Sequence, residues 1–453
     1  MCTTSGFSPS SANLIATGIA APQFTDSGLT HSTTYYYVVE AVNYAGSSGP
    51  SNQASITMPD QTSYYVSSTG NDSNSGTSPS SPWQTIGKVN TFVFPEGAIV
   101  NFEGGQVFTV CLVANPTKVP NSSVSNPFTL QSYGTGMATL QSNCTGTGSS
   151  AITGDTVNGF AVNGLKIVNG SQTLNGVLLE NQHYASPVQN LVVENAEITG
   201  FAPVSGVSGG VAEIFVIGDA MNGHNGPLNN VQMLNNKLHG ASVTSPDGPG
   251  IAGYGYGKNI TNVLVQGNTI YDLGMPASSS YGALEADGWN DGTIQYNVVH
   301  DIGANVTSCG GTAGIETYSS NNITIRYNEG YKIQPSPGFS AGCDWDAIDL
   351  DGGTTNSVVE YNYTHSNYGL GLYAYTVNPS GSTWGPNTYR YNISENDGLL
   401  GANGAAFGLQ GYPPPNALQV YGNTLANTIP QSGNAGDPAA CFFFGLWNGV
   451  APR

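Results

Sequence analysis

Three carboxylates recur at one place in three successive repeats of this chain: Glu285 in Leu284-Glu285-Ala286, Glu316 in Ile315-Glu316-Thr317 and Asp349 in Ile348-Asp349-Leu350. Strand side chains alternate between faces, so an acid flanked by two core-type residues points outward, and all three should share one face. A downstream asparagine sets their register. Glu285 lies twelve residues before Asn297, Glu316 twelve before Asn328, and Asp349 thirteen before Asn362. Neighbouring strands are about 4.8 Å apart, which predicts a column of carboxyls at roughly that spacing. Asp287 and Asp351, two residues farther on, join the same face, and Asp344 and Asp346 enter from the preceding turn. So many like charges cannot all ionise cheaply. At least one should hold a proton at neutral pH, or a cation should lie among them.

One chemistry that uses such a column is glycoside hydrolysis, which needs a protonated carboxyl to donate to the leaving oxygen and a second carboxylate as nucleophile or base. Glu316, with acids on both sides, is the expected acid, and Asp349 or Glu285 its partner. Tyr318, Tyr373, Tyr375, Trp289 and Trp345 stand close enough in register to stack on sugars, and Asp287 and Asp351 to bind them. A plainer alternative is a solvated acidic turn. It fits less well, because the flanking apolar residues put these acids on strands and only 8% of the chain is charged.

The elements that must position these residues are repeats. Asn163, Asn195, Asn236, Asn268, Asn297, Asn328, Asn362, Asn392 and Asn423 follow one another at about 30 residues, most of them after a strand such as Thr293-Ile-Gln-Tyr296 or Val358-Val-Glu-Tyr361. A fixed period of this length marks a solenoid, and β-rich repeats without helical periodicity make it a β-helix. One Asn per coil predicts a ladder at a corner, since Asn tolerates left-handed turns and its amide can bond to the same amide one coil away. Three residues after each Asn from Asn195 on come Ile198, His239, Tyr271, His300, Tyr331, His365, Glu395 and Ala426, a mostly aromatic outer stack. Its histidines follow the ladder rather than the acids, which gives them a structural role.

Composition agrees with a secreted all-β protein. The 453 residues include 61 Gly and 25 Tyr, and the net charge is −19, with polarity carried by Asn, Ser and Thr. Only 9 Lys and Arg are present, which disfavours nucleic acid or an anionic membrane surface as a partner. No apolar run is long enough to span a bilayer, and Met1-Cys2 does not open an export signal, which would have to lie upstream. A monomer is expected. Of the six cysteines none forms a CxxC pair or clusters with His, which argues against zinc. Cys309 and Cys343 fall just before Glu316 and Asp349 on neighbouring repeats and are expected to pair, and Cys111 and Cys144 likewise.

Tyr64-Tyr-Val-Ser-Ser-Thr-Gly-Asn-Asp-Ser-Asn-Ser-Gly-Thr77, followed by Pro82-Trp83-Gln-Thr-Ile-Gly-Lys-Val89, resembles the opening of secreted right-handed parallel β-helix proteins of the pectate-lyase-like group. The resemblance implies that a first strand and a polar turn lead into a short capping helix. Ile86 and Val89, three apart, suit one such turn. Upstream, Thr33-Thr-Tyr-Tyr-Tyr-Val-Val-Glu-Ala-Val-Asn43 and Ser55-Ile-Thr-Met58 resemble the second half of a fibronectin type III module. The expected organisation is therefore a truncated, partial β-sandwich over residues 1–58, a linker over 59–63 and an all-β, right-handed parallel β-helix over 64–453.

The resemblance also implies a second chemistry, a calcium-dependent polysaccharide lyase or epimerase. Asp287 and Asp351, with Glu316 and Asp349, would hold the calcium. Lys258, which the twelve-residue offset from Asn268 puts where Asp287 stands in the next coil, would be the base. The hydrolase reading requires no cofactor. Lyase substrates are polyanionic, and a chain at −19 repels them unless metal bridges the charges. A third reading is a non-catalytic carbohydrate-binding or adhesin-like solenoid, for which stacked acids are not needed. Glycoside hydrolysis of a polysaccharide or oligosaccharide is the leading expectation.

Overall fold

The computed structural model describes the chain apart from residues 19–25, 27–31, 44–45, 59–60, 121–122, 146–148, 171–172, 183–185, 204–209, 219–225, 256, 258, 279–280, 309–311, 340–343, 377–382, 400–404, 412–416, 429–439 and 446–453. From Ser63 the chain winds into a right-handed parallel β-helix whose strands stack into three long parallel sheets, two of 11 strands and one of 12. One coil shows the plan. Leu284–Asp287 lies in the front sheet, Trp289–Gln295 in the second and Val298–Ile302 in the third, before a longer loop returns to the front. Inward side chains of successive coils meet: Leu284, Ile315, Ile348 and Leu372 pair strand to strand, and all are buried. Along one strand this alternation leaves every second residue for the outer face.

The first coil has no predecessor to cover its core, and a six-residue helix, Ile86–Thr91, closes it. The Thr85 hydroxyl caps the helix by accepting from the Lys88 N–H at 3.2 Å. Ile86 and Val89 point into a cluster with Tyr64, Trp83, Phe92 and Phe94. Cys111 and Cys144 are disulfide-bonded, as expected, whereas Cys309 and Cys343 lie outside the described residues. Residues 1–58 contribute two two-stranded antiparallel sheets, Thr34–Tyr37 with Ala54–Thr57 and Val42–Asn43 with Gly46–Ser47.

The corner between the second and third sheets carries the asparagine ladder. Each amide nitrogen in the run Asn236, Asn268, Asn297, Asn328, Asn362, Asn392 donates to the Oδ1 of the next ladder asparagine at 2.9–3.0 Å, ending on Asn423. Two expectations are corrected. Asn163 and Asn195 bond each other, the Asn195 amide donating to the Asn163 Oδ1 at 3.1 Å, but they stand outside this run, because Lys237 pairs with Glu197 and Asn236 lies over Ala196, whose N–H it accepts. Nor do the rungs take the left-handed backbone. The residue before each one does: Asn235, Gly267, Tyr296, Tyr327, Tyr361, Tyr391 and Gly422 have φ between 55° and 70°. The outer ring stack is present as His239, Tyr271, His300, Tyr331 and His365, with centroids 4.7–5.4 Å apart. It begins beside Thr199 rather than at Ile198, which is buried in the core.

Candidate active site

The outward face of the front sheet reads as a grid. One row runs Ala252, Glu285, Glu316, Asp349, Tyr373, Gly408 across adjacent strands. Two residues along, Tyr254, Asp287 and Tyr318 are neighbours, Asp351 follows the strand Ile348–Leu350, and Tyr375 pairs with Gln410. The column expected from the sequence is therefore in place, with Asp287 and Asp351 beside it. Gln410 stands in this second row, where it accepts the Tyr373 hydroxyl at 2.9 Å.

Access differs along the rows. Glu285 and Asp349 are 6% and 7% exposed and Asp287 is buried too, whereas Glu316, Asp344, Asp351, Tyr254, Tyr318 and Tyr375 keep part of their surface in solvent. The backbone of Gly282 lies over Glu316, since a Cβ there would come within 2.8 Å of the Glu316 Cβ and 3.3 Å of its Oε2. The Tyr254 hydroxyl reaches Glu285 at 3.4 Å, and the N–H groups of Gly352 and Leu370 bond Asp351 and Asp346. Asp349 Oδ1 is buried with no hydrogen-bond partner among the described residues.

Burial and like charge set the protonation of this face. Enclosure by protein pushes the Glu316 carboxyl well above the usual range, and Glu285, Asp351, Asp344 and Asp287 push it further. Glu285 rises well through burial and Asp287, and Asp349 through burial, Asp351 and Glu316. Asp346 follows the same course beside Asp344. Asp351 is pushed up by burial only to about 7, because the Gly352 N–H holds its charged form. At neutral pH this face combines protonated carboxyls with one that is close to half ionised.

Three aromatic assignments change. Trp289 is fully buried, with its Nε1 donating to the Gly253 carbonyl at 3.1 Å, and a Cβ on Gly253 would overlap the indole. Trp345 is equally buried, with Phe339 edge-on to it at 5.4 Å. Tyr373 is 4% exposed and tied to Gln410. None of the three offers a ring to a sugar. Tyr318 and Tyr375 remain, and Tyr254, which the asparagine offset missed, joins them. The same offset misplaced Lys258. The residue paired with Asp287 is Tyr254, and Lys258 lies outside the described residues.

No family model matches this chain, and no curated protein matches it. Among solved structures it is similar to the GH136 lacto-N-biosidase from Eubacterium ramulus, with 16% identity and a TM-score of 0.56 over 81% of this chain and 68% of that one. The likeness is one of fold. Pectate lyase Pel9A aligns at 13% identity and a TM-score of 0.44, over 84% and 82% of the two chains. The Dettilon tailspike protein aligns at 13% and 0.46, over 77% and 62%.

Proposed function

We propose that this chain is an exported glycoside hydrolase that cleaves a polysaccharide or oligosaccharide on the front sheet. The observation that carries this reading is the in-register row Glu285, Glu316, Asp349 on an outward strand face, with Glu316 both protonated by its surroundings and open to solvent. Glu316 donates the proton to the leaving oxygen. Its partner must be ionised and reachable. Asp351 meets both conditions better than Asp349 or Glu285, which are buried and held protonated. Glu316 and Asp351 sit on adjacent strands two residues out of line, roughly 8 Å apart at the backbone. Carboxyls held about 6.5–9.5 Å apart leave room for a water and give inversion at the anomeric carbon, the outcome this pairing expects. Tyr254, Tyr318 and Tyr375 flank the pair as stacking surfaces. The Cys111–Cys144 disulfide accords with export to an oxidising compartment.

Elimination with Lys258 as base is weakened by the pairing of Tyr254 with Asp287. A calcium shared by Asp287 and Asp351 would have to reach across the strand of Tyr318, about 9.6 Å at the backbone. The deciding experiment is incubation with neutral and uronate polysaccharides, with calcium or with chelator. Reducing ends released without unsaturated products, at a rate indifferent to chelator, support hydrolysis. Unsaturated products that vanish with chelator would replace it with elimination.

A further inference from the structure

The described cations of this chain lie away from the front face. Among the described residues, Lys88 and Lys118 sit at the N-terminal end, Lys166, Lys237 and Lys332 on the third sheet, and Arg326 and Arg390 on the second. The described histidines, His239, His300 and His365, belong to the third sheet as well. Opposite them, Glu285, Asp287, Glu316, Asp344, Asp349 and Asp351 gather on one face, with the Tyr254 hydroxyl on Glu285 and the Gly352 N–H on Asp351. Asp349 adds a separate indication: among the described residues nothing bonds its buried Oδ1, on a residue that keeps 7% of its surface in solvent. An acceptor left so in a low-dielectric site costs stability, and a ligand that brings a donor and a positive charge recovers it.

We propose that this face takes a glycan with protonated amino groups, a polymer or oligomer of 2-amino-2-deoxy sugars; this rests on the reading of the face as a glycoside-cleaving site. An ammonium supplies three donors and one positive charge on a sugar ring whose apolar face can lie on Tyr254, Tyr318 or Tyr375. An N-acetylated sugar brings a donor but no charge. A uronate brings a further negative charge to a face whose crowded carboxyls already favour holding their protons.

The test is titration calorimetry with matched pairs of oligosaccharides, each as the free amine and as the N-acetyl form: β-1,4- and β-1,6-linked glucosamine and α-1,4-linked galactosamine, with oligogalacturonate beside them. In at least one pair the amine should bind roughly ten- to a hundredfold tighter, the worth of a hydrogen bond to a charged, buried partner. The preference should shrink as salt rises from about 0.02 to 0.5 M, because part of the face is open to screening. Asp349→Asn should lower affinity for the amine and leave the N-acetyl form unchanged, and Asp344→Asn serves if that variant fails to fold. Equal or tighter binding of N-acetyl or uronate forms would overturn the amino-sugar assignment, and release of reducing ends from such glycans would leave hydrolysis standing. Selective binding of amines without cleavage of any glycan would uphold the assignment and overturn hydrolysis. Binding of none of the panel overturns the proposal.

Discussion

Glu316 is the residue on which the chemistry turns. Glu316→Gln keeps its shape and removes its proton, so turnover on a cleaved glycan should fall by roughly 10²–10⁴-fold, the worth of a general acid, with the circular dichroism spectrum unchanged. Gly282 gives a second, independent handle, because its backbone lies directly over that carboxyl. Gly282→Ala must displace one or the other, and a misplacement near 1 Å costs up to about 10²-fold in kcat; full activity in this variant would show that the loop does not hold Glu316. The pH dependence follows from direction. Front-face acids are raised above their unfolded values, so the native state keeps protons that the unfolded chain gives up above about pH 4. Their stabilising contribution is complete below that pH and is lost as pH rises through the folded value, about 7 for Asp351. Asp349→Asn should therefore raise the melting temperature at pH 8 and gain little at pH 4, with an effect on the order of 1 kcal/mol or more, one pKa unit being worth about 1.4 kcal/mol. A lower melting temperature at pH 8 would contradict the burial assigned to Asp349.

At the scale of the element, the ladder is the feature most exposed to a single change. Asn328 accepts both the N–H and the side-chain amide of Asn297 and donates to Ile294 and Asn362. Asn328→Ala leaves a buried backbone donor unmet and should cost about 3 kcal/mol by chemical denaturation, whereas Asn423→Ala, at the partly exposed end, should cost about 1 kcal/mol. Equal losses would mean that the rungs act alone. Strand alternation made the acid column legible in the sequence, since Leu284-Glu285-Ala286 and its counterparts admit one inward pattern. The turn lengths were not legible. Asn268 follows Ala252 by sixteen residues where Asn297 follows Glu285 by twelve, because five residues of sequence separate the strands Ile251–Tyr254 and Ile260–Gln266, whereas Gly288 alone separates Leu284–Asp287 from Trp289–Gln295. That difference moved Lys258 out of line. The fate of Trp289 was hidden for another reason: the space it fills is opened by Gly253, a coil away, and no local pattern announces a hole.

For the whole molecule, each coil contacts mainly the coils before and after it, and stability is close to a sum over neighbours. The ends then matter unequally. The first coil is closed by Ile86–Thr91 and its aromatic cluster, and Val89→Asp puts a charge into that closure. Hydrogen exchange should show the loss of protection concentrated in the strands Ser63–Val66, Ile99–Glu103 and Phe128–Tyr133, fading toward Leu284–Asp287. Uniform loss along the solenoid would instead indicate one cooperative unit.

The ladder also has a direction. Each rung from Asn236 to Asn392 offers its backbone N–H and a side-chain N–H to the asparagine of the following coil, as Asn297 does to Asn328 and Asn328 to Asn362. A chain emerging from its N-terminus thus ends, at every stage, in a coil whose donors wait for an oxygen not yet made. The solenoid reads like a one-way ratchet. A coil transplanted or duplicated within the run from Asn236 to Asn423 will continue it only if it carries an asparagine facing back toward its predecessor, and a break in that run is completed only from its C-terminal side.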